Sequence, residues 1–169
     1  MRAKKFTAAV VLAAIAAIGF APLANAAVRP TTAQKLQLQY LIEEEKLARD
    51  VYLYLAANVT TSKFSNIARS EQTHMDQIAA VLKTYNYFNP TTTRAAGVFR
   101  DKSLQALYNT LIAQGSVDVA AAMQVGRDIE NLDIKDLQVM LKSTMPADMK
   151  LALDNLLKGS YNHLAAFNR

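Results

Sequence analysis

The chain contains no cysteine, which excludes a tetrathiolate iron centre and thiol redox chemistry. It also excludes the disulfides that exported domains can use, so stability must come from the core or from a metal. Tryptophan is absent, and aromatics make up only 8% of the chain. Glycine (5) and proline (4) are scarce among 169 residues, so few positions favour a turn. Alanine, leucine, lysine and glutamate abound. That balance points to a single all-α domain. No stripe of basic residues interleaved with aromatics occurs, and nucleic acid is not an expected partner.

One long apolar run is present, at the start. Residues 1–5 carry three basic side chains, Arg2, Lys4 and Lys5; Phe6 to Phe20 is apolar, and Pro22 ends the run. Ala24-Asn25-Ala26 then puts small residues at the two positions a signal peptidase reads. Residues 1–26 are expected to be a secretory signal peptide, and residues 27–169 the mature domain. The alternative is a membrane anchor, but a spanning helix needs about 20 apolar residues. Cleavage after Ala26 removes Arg2, Lys4 and Lys5 and takes the formal charge from +5 to about +2. No second apolar span follows. The mature chain is expected to be soluble, off the membrane, and exported to the periplasm or outside the cell.

Period and punctuation predict five helices. The first runs from about Thr32 to Asn58, with Thr31 or Thr32 as its cap. The second follows Ser62 and ends near Tyr85–Asn86, before the stop at Asn89-Pro90. Residues 87–100 read as a loop, and a short amphipathic helix covers about Ser103 to Ala113. The third long helix runs from about Val117 to Lys142, capped by Gly115-Ser116. Met145-Pro146 makes a tight turn into the fourth long helix, Ala147 to Phe167. Two short connections make two antiparallel hairpins. The long connection between them can traverse the bundle. One long crossover is the ferritin-like arrangement of a four-helix bundle, rather than simple up-down-up-down.

The only two histidines both fall inside apolar stripes. His74 lies in Ile67, Glu71, His74, Ile78, Val81, Tyr85, and His163 in Met149, Leu153, Leu156, Ser160, His163, Phe167. Steps of three and four keep each set on one helix face. Two further stripes carry acids: Leu38, Leu41, Glu45, Ala48, Tyr52, Leu55, and Met123, Gly126, Glu130, Asp133, Leu137, Met140. Four helices thus each turn a metal-ligand-type side chain inward. Burying an unpaired carboxylate costs several kcal/mol, while a whole domain has only about 5–15 kcal/mol of stability. One or two divalent cations would satisfy the whole set.

Glu71-Gln72-Thr73-His74 places a carboxylate and an imidazole three apart, able to approach one ion from one helix. In Glu43-Glu44-Glu45 three consecutive residues cannot share a face. Glu45 fits the stripe best, Glu44 is the fallback, and Glu43 is expected to point away into solvent. Asp133 can ligate directly or hold a histidine ring as an acceptor. Ser160 stands where a matching Glu would complete a second Glu-x-x-His pair, and Asp133 or a water held by Ser160 can fill that gap. Asp128 and Asp136 are expected to be solvated. Met123, Met140 and Met149 read as core filling. Tyr40, Tyr52 and Tyr85 read as core residues with satisfied hydroxyls, Tyr52 being close in register to Glu45.

Four segments in order carry a resemblance: Glu44 to Tyr52, Phe64 to His74, Ile129 to Ile134, and Leu156 to Leu164. Together they resemble a family of prokaryotic ferritin-like proteins catalogued as a domain of unknown function (domain of unknown function 2202), related to rubrerythrin and ferritin. The resemblance covers nearly all of the mature chain. It implies a ferritin-like bundle with a carboxylate-bridged dinuclear iron site. Glu45-x-x-x-Arg49 also resembles the first-helix motif of rubrerythrins, which favours Glu45 over Glu44. Two departures stand out. The chain lacks the cysteine-ligated iron of a rubrerythrin, and Ser160 stands where many di-iron bundles have Glu.

The expected function is that of an exported, redox-active di-iron protein. Two iron ions would be held by Glu45, Glu71, His74, Glu130 and His163, with Asp133 as a further candidate. Carboxylate and imidazole donors suit iron or manganese; zinc is a further candidate. Oxygen or peroxide would be the oxidant in a ferroxidase or peroxidase-like reaction, with an external electron donor. The alternatives are a protein that sequesters metal without turnover, and a metal-free bundle whose acids and histidines pair with one another.

Overall fold

The computed structural model describes residues 28–59 and 61–169. The expected signal peptide lies outside the described residues. Five helices are present: α1 (Thr32–Asn58), α2 (Lys63–Thr84), α3 (Lys102–Gly115), α4 (Val119–Met140) and α5 (Ala147–Phe167). No strand occurs among the described residues, and no helix among them is long and apolar enough to cross a membrane.

Local chemistry explains most of the boundaries. Thr31 and Gln34 form a capping box at the start of α1, each side chain accepting the other's backbone N–H. The Gln34 amide also donates to Ser143 Oγ and Thr144 O, tying this end to the α4–α5 turn. Beyond α2, Asn86 takes a left-handed conformation (φ 55°) that stops the helix. Asp101 caps α3 by accepting from Ser103 and Leu104. Asp118, not Ser116, caps α4 by accepting from the Ala121 N–H at 2.7 Å, so this helix starts two residues later than its apolar pattern suggests. A carboxylate is a better acceptor for a helix N-terminus than a hydroxyl and also favours its dipole.

The four long helices form a bundle. α1 packs on α2 and α4, α5 packs on α2 and α4, and α3 covers α1 and α4. Two apolar layers give the directions. Leu38 and Ile42 of early α1 meet Ile78 and Leu82 of late α2, Leu137 of late α4, and Met149 and Leu153 of early α5. Val51 and Leu55 of late α1 meet Phe64 and Ile67, Ala122 and Val125, and Phe167. α1 is therefore antiparallel to both α2 and α4, and the crossover between α2 and α4 returns the chain to the end where α2 began. A polar layer lies between the two apolar ones.

The crossover also changes the fate of α1. Glu43, Glu44, Glu45 and Lys46 are all buried, although the sequence suggests a solvated face for at least one. Each goes to a different neighbour. Glu43, expected in solvent, accepts backbone N–H bonds from Arg100 and Asp101 at the end of the crossover. Lys46 Nζ bonds Asp50 Oδ2 and donates to Ala95 O at 2.8 Å, and lies 4.5 Å from the centroid of the Phe99 ring. Asp50 accepts in addition from Gly97 N at 2.8 Å and from the Arg49 guanidinium. Gly97 takes φ 72°, a conformation that suits glycine. Helix periodicity cannot anticipate this, because the covering segment comes from 50 residues further along the chain.

A buried ion pair that loses one member leaves a bare charge in the core. Asp50→Ala is expected to lower stability by about 3–5 kcal/mol. Urea unfolding of the variant beside the parent would measure it, and a change within 1 kcal/mol would contradict the anchoring role.

Tyrosine placement differs in one case from expectation. Tyr40, expected in the core, sits at the surface with 36% of its area exposed, because the α1–α4 interface opens into a groove there. Tyr85 is half-buried and donates to Asp148 Oδ1 at 2.7 Å. Tyr52 is fully buried against Phe64 and Phe167, with ring centroids 5.9 and 5.3 Å away.

Candidate metal centre

The polar layer gathers all six candidate residues. Glu45 comes from α1, Glu71 and His74 from α2, Glu130 and Asp133 from α4, and His163 from α5. All six are buried, along with Ser160. Each stripe delivers its polar member to the same level because the four helices run antiparallel in neighbouring pairs and cross that level near Glu45, His74, Glu130 and His163.

Glu71 sits at the middle. Its Oε2 lies 2.8 Å from His74 Nδ1, and its Oε1 lies 2.9 Å from His163 Nδ1. Glu45 Oε2 is 3.1 Å from His74 Nδ1 on one side, and Glu130 Oε2 is 3.6 Å from His163 Nδ1 on the other. The two rings stack with centroids 5.4 Å apart. The layer thus divides into two halves that share Glu71: Glu45 with His74, and Glu130 with His163.

Both oxygens of Glu71 lie at hydrogen-bond distance from an imidazole nitrogen, yet neither is aligned with an N–H. Glu71 Oε1 and Oε2, Glu45 Oε1, Asp133 Oδ1 and His163 Nδ1 are all buried without a hydrogen-bond partner. Orphaned buried polar atoms are rare in folded proteins. Donor atoms of Glu71, His74 and His163 converge within 4.8 Å of one another. Carboxylate and imidazole donors converging on a common space, several of them unpartnered, suit a cation.

The surrounding residues hold these groups in place. Tyr52 O–H donates to Glu130 Oε1 at 2.7 Å, which leaves Oε2 turned to His163. Ser70 Oγ lies 2.9 Å from His163 Nε2, which anchors that side of the ring and leaves Nδ1 facing Glu71. Ser160 O–H donates to Asp133 Oδ2 at 2.7 Å and so fixes that carboxylate beside the centre with Oδ1 free. Ser160 and Asp133 therefore act as a pair where a second Glu-x-x-His motif would supply a Glu. Gly159 makes room for His74: a Cβ there would lie 2.3 Å from His74 Nε2. Helix periodicity marks neither Ser70 nor Gly159. The one signal for the latter is glycine inside a helix, where alanine is better by roughly 0.5–1 kcal/mol.

Charge follows the same division. Burial works against ionisation of Glu71, but the imidazoles of His163 and His74 outweigh it and hold the carboxyl down at about 2. Burial pushes Glu45 up to about 8 and Glu130 up to about 7, in each case against the pull of one histidine. It also takes Asp133 well above the usual carboxylate range. Burial disfavours charge on the histidines too, yet Glu45 and Glu71 raise His74 to about 11, and Glu130 and Glu71 raise His163 to about 9. Without a metal, the centre is a proton-loaded cluster built on one anion between two cations.

The family described as an uncharacterized protein domain, DUF2202, matches residues 34–169. The chain belongs to the DUF2202 family. An uncharacterized protein of Methanocaldococcus jannaschii, MJ0754, is 45% identical over 127 residues, which cover 75% of this chain and 69% of the relative. A crystal structure of hypothetical protein MJ0754 superposes with a TM-score of 0.79 at 42% identity, covering 82% of this chain and 79% of that one. All six candidate residues lie inside the DUF2202 match.

Proposed function

We propose that the chain is an exported ferritin-like protein whose buried centre holds two divalent cations, iron before manganese or zinc. The observation that carries this reading is the set of orphaned donor atoms around Glu71, shared between two like halves. The hairpin–crossover–hairpin order and the placement of a donor on each long helix support the ferritin-like kinship.

Glu45, Glu71 and His74 would hold one ion; Glu71, Glu130 and His163 would hold the other. Asp133 Oδ1 is free to join. Four carboxylates and two imidazoles with no thiolate suit iron or manganese. Bound iron supplies one-electron redox chemistry toward oxygen or peroxide, which makes ferroxidase or peroxidase-like turnover with an external donor the proposed activity. The protein's part is to position and to exclude water. Tyr52 and Ser70 keep one donor atom of Glu130 and of His163 facing inward, and the apolar layers above and below keep bulk water out. To bind, His74, His163, Glu45 and Glu130 must give up protons, so loading is coupled to proton release.

Anaerobic addition of Fe²⁺ followed by an oxygen pulse tests the reading. The expected result is uptake of about two iron ions per chain and oxidation faster than in protein-free buffer. Uptake without faster oxidation would leave a sequestering protein, and no uptake would leave a metal-free bundle.

Gly159 offers a further check. Gly159→Ala drives a methyl group into the His74 ring, which must swing off Glu71. A loss of roughly 10–100-fold in metal affinity is expected, as for other supports of a ligating histidine. Titration calorimetry would show it; unchanged affinity would mean that His74 does not ligate through its present position.

A further inference from the structure

Glu44 has no part in the centre, yet it is only 4% exposed, and its Oε1 has no hydrogen-bond partner. It forms the inner wall of a groove of about 380 Å³ between α1 and α4, with Tyr40, Asp136, Val139 and Met140 around it. Among the described residues, no basic side chain lines this groove. Asp133, one turn along α4 from Asp136, offers a second buried and unpartnered oxygen, Oδ1. Glu44 and Asp136 line the same groove, and Asp133 lies one turn further into the bundle along α4. Asp133 shares α4 with Glu130, three residues before it, and its Oδ2 accepts from Ser160 on α5. Asp136, Asp133 and Glu130 thus follow one another at three-residue steps along α4, from the groove to the centre.

The neighbouring groove is larger, about 730 Å³, but its two acids, Glu43 and Asp101, both have partners, Asp101 accepting from the Ser103 and Leu104 N–H groups. Glu43 there accepts from the Arg100 and Asp101 N–H groups, and Arg100 also lines that groove. Glu44 alone of the three consecutive acids is buried at a surface opening without a partner. A buried carboxyl oxygen without a partner costs stability.

Resting on the reading that the centre binds divalent cations, we propose that Glu44, with Asp136 and Asp133, forms the path by which those cations enter from the α1–α4 groove. A dication must shed water to reach a buried site, and carboxylates spaced along the way replace that water in steps. A cleft walled by acids also raises the local cation concentration and the rate of entry by about 10–10³-fold.

Stopped-flow loading of the metal-free protein with Co²⁺, followed by its visible absorption, tests the path. In Glu44→Gln the loading rate is expected to fall about tenfold or more, with the final Co²⁺ content and spectrum those of the parent. Val139→Trp, at a position 52% exposed on the groove rim, should slow loading by blocking it without removing an acid. Asp128→Asn makes the same charge change at an exposed site bonded to Gln124 and should load like the parent. Parental rates in both Glu44→Gln and Val139→Trp would overturn the path alone, as would a lost Co²⁺ equivalent or an altered spectrum in Glu44→Gln, which would make Glu44 a ligand. A parent protein that takes up no Co²⁺ would overturn the metal-binding reading and the path with it.

Discussion

Glu71→Ala is expected to empty both cation positions at once. Among the described residues, Glu71 alone turns its two oxygens to the two histidines, at 2.8 and 2.9 Å. Without it, His74 keeps only Glu45 as a neighbouring acid, and His163 keeps only Glu130. The loss at each position should exceed the roughly 10–100-fold cost of removing an outer support. Single changes on one side should act on one side: His74→Ala should cost the ion beside Glu45, and His163→Ala the ion beside Glu130. Glu43→Ala should keep both, because that carboxylate is bound to the crossover backbone. Metal content per chain by mass spectrometry distinguishes these cases. Equal metal in Glu71→Ala and the parent would remove Glu71 from the centre.

Stripping the metal should produce the largest change in stability, and one that grows with pH. Each cation present at 100–1,000 times its dissociation constant adds about 2.7–4.1 kcal/mol to the folded state. Two would therefore add roughly 5–8 kcal/mol, or a rise in Tm on the order of 10–30 °C for a domain of this size. The pH dependence of the metal-free protein follows from its protons. Glu130 at about 7, Glu45 at about 8, His163 at about 9 and His74 at about 11 all bind protons more tightly folded than unfolded. Folding then takes up protons, and stability falls as pH rises from about 5 to 9. Glu71, held at about 2, runs the other way, and its contribution is lost only as pH drops below its ordinary value of 4.5. The metal-free Tm should therefore peak near pH 5. Loaded protein has already surrendered those protons, so the gap between loaded and stripped Tm should widen from pH 6 to 9. Scanning calorimetry at several pH values, with and without chelator, measures it. A gap that is absent, or that narrows with rising pH, would favour a bundle whose acids and histidines serve only one another.

Much of this centre was legible in spacing alone. Glu71 and His74 three apart, and His163 and Glu130 at the centres of their stripes, arrive at one level because helix periodicity is local and the hairpins are short. The helix ends were legible for the same reason, except that α3 runs on through Gly115 and that α4 ends at Met140 and is capped by Asp118 rather than Ser116. What stayed hidden depends on distant packing. The crossover buries Glu43 and pairs Lys46 with Asp50, and the approach of α4 sets Glu44 beside Asp136. From the first helix alone, Glu44 and Glu45 differ only by a 100° turn. The structure separates them by neighbour: Glu45 meets His74, and Glu44 meets the groove. Support from Ser70 and the space left by Gly159 likewise exist only once α2 and α5 are side by side.

The most direct measurement is anomalous diffraction at the iron edge from crystals loaded anaerobically with Fe²⁺. Two peaks are expected, one on each side of the Glu71 carboxylate, the first beside His74 and the second beside His163. An ordered Glu71 with direct hydrogen bonds to both imidazoles and no anomalous peak in the polar layer would contradict the dinuclear centre.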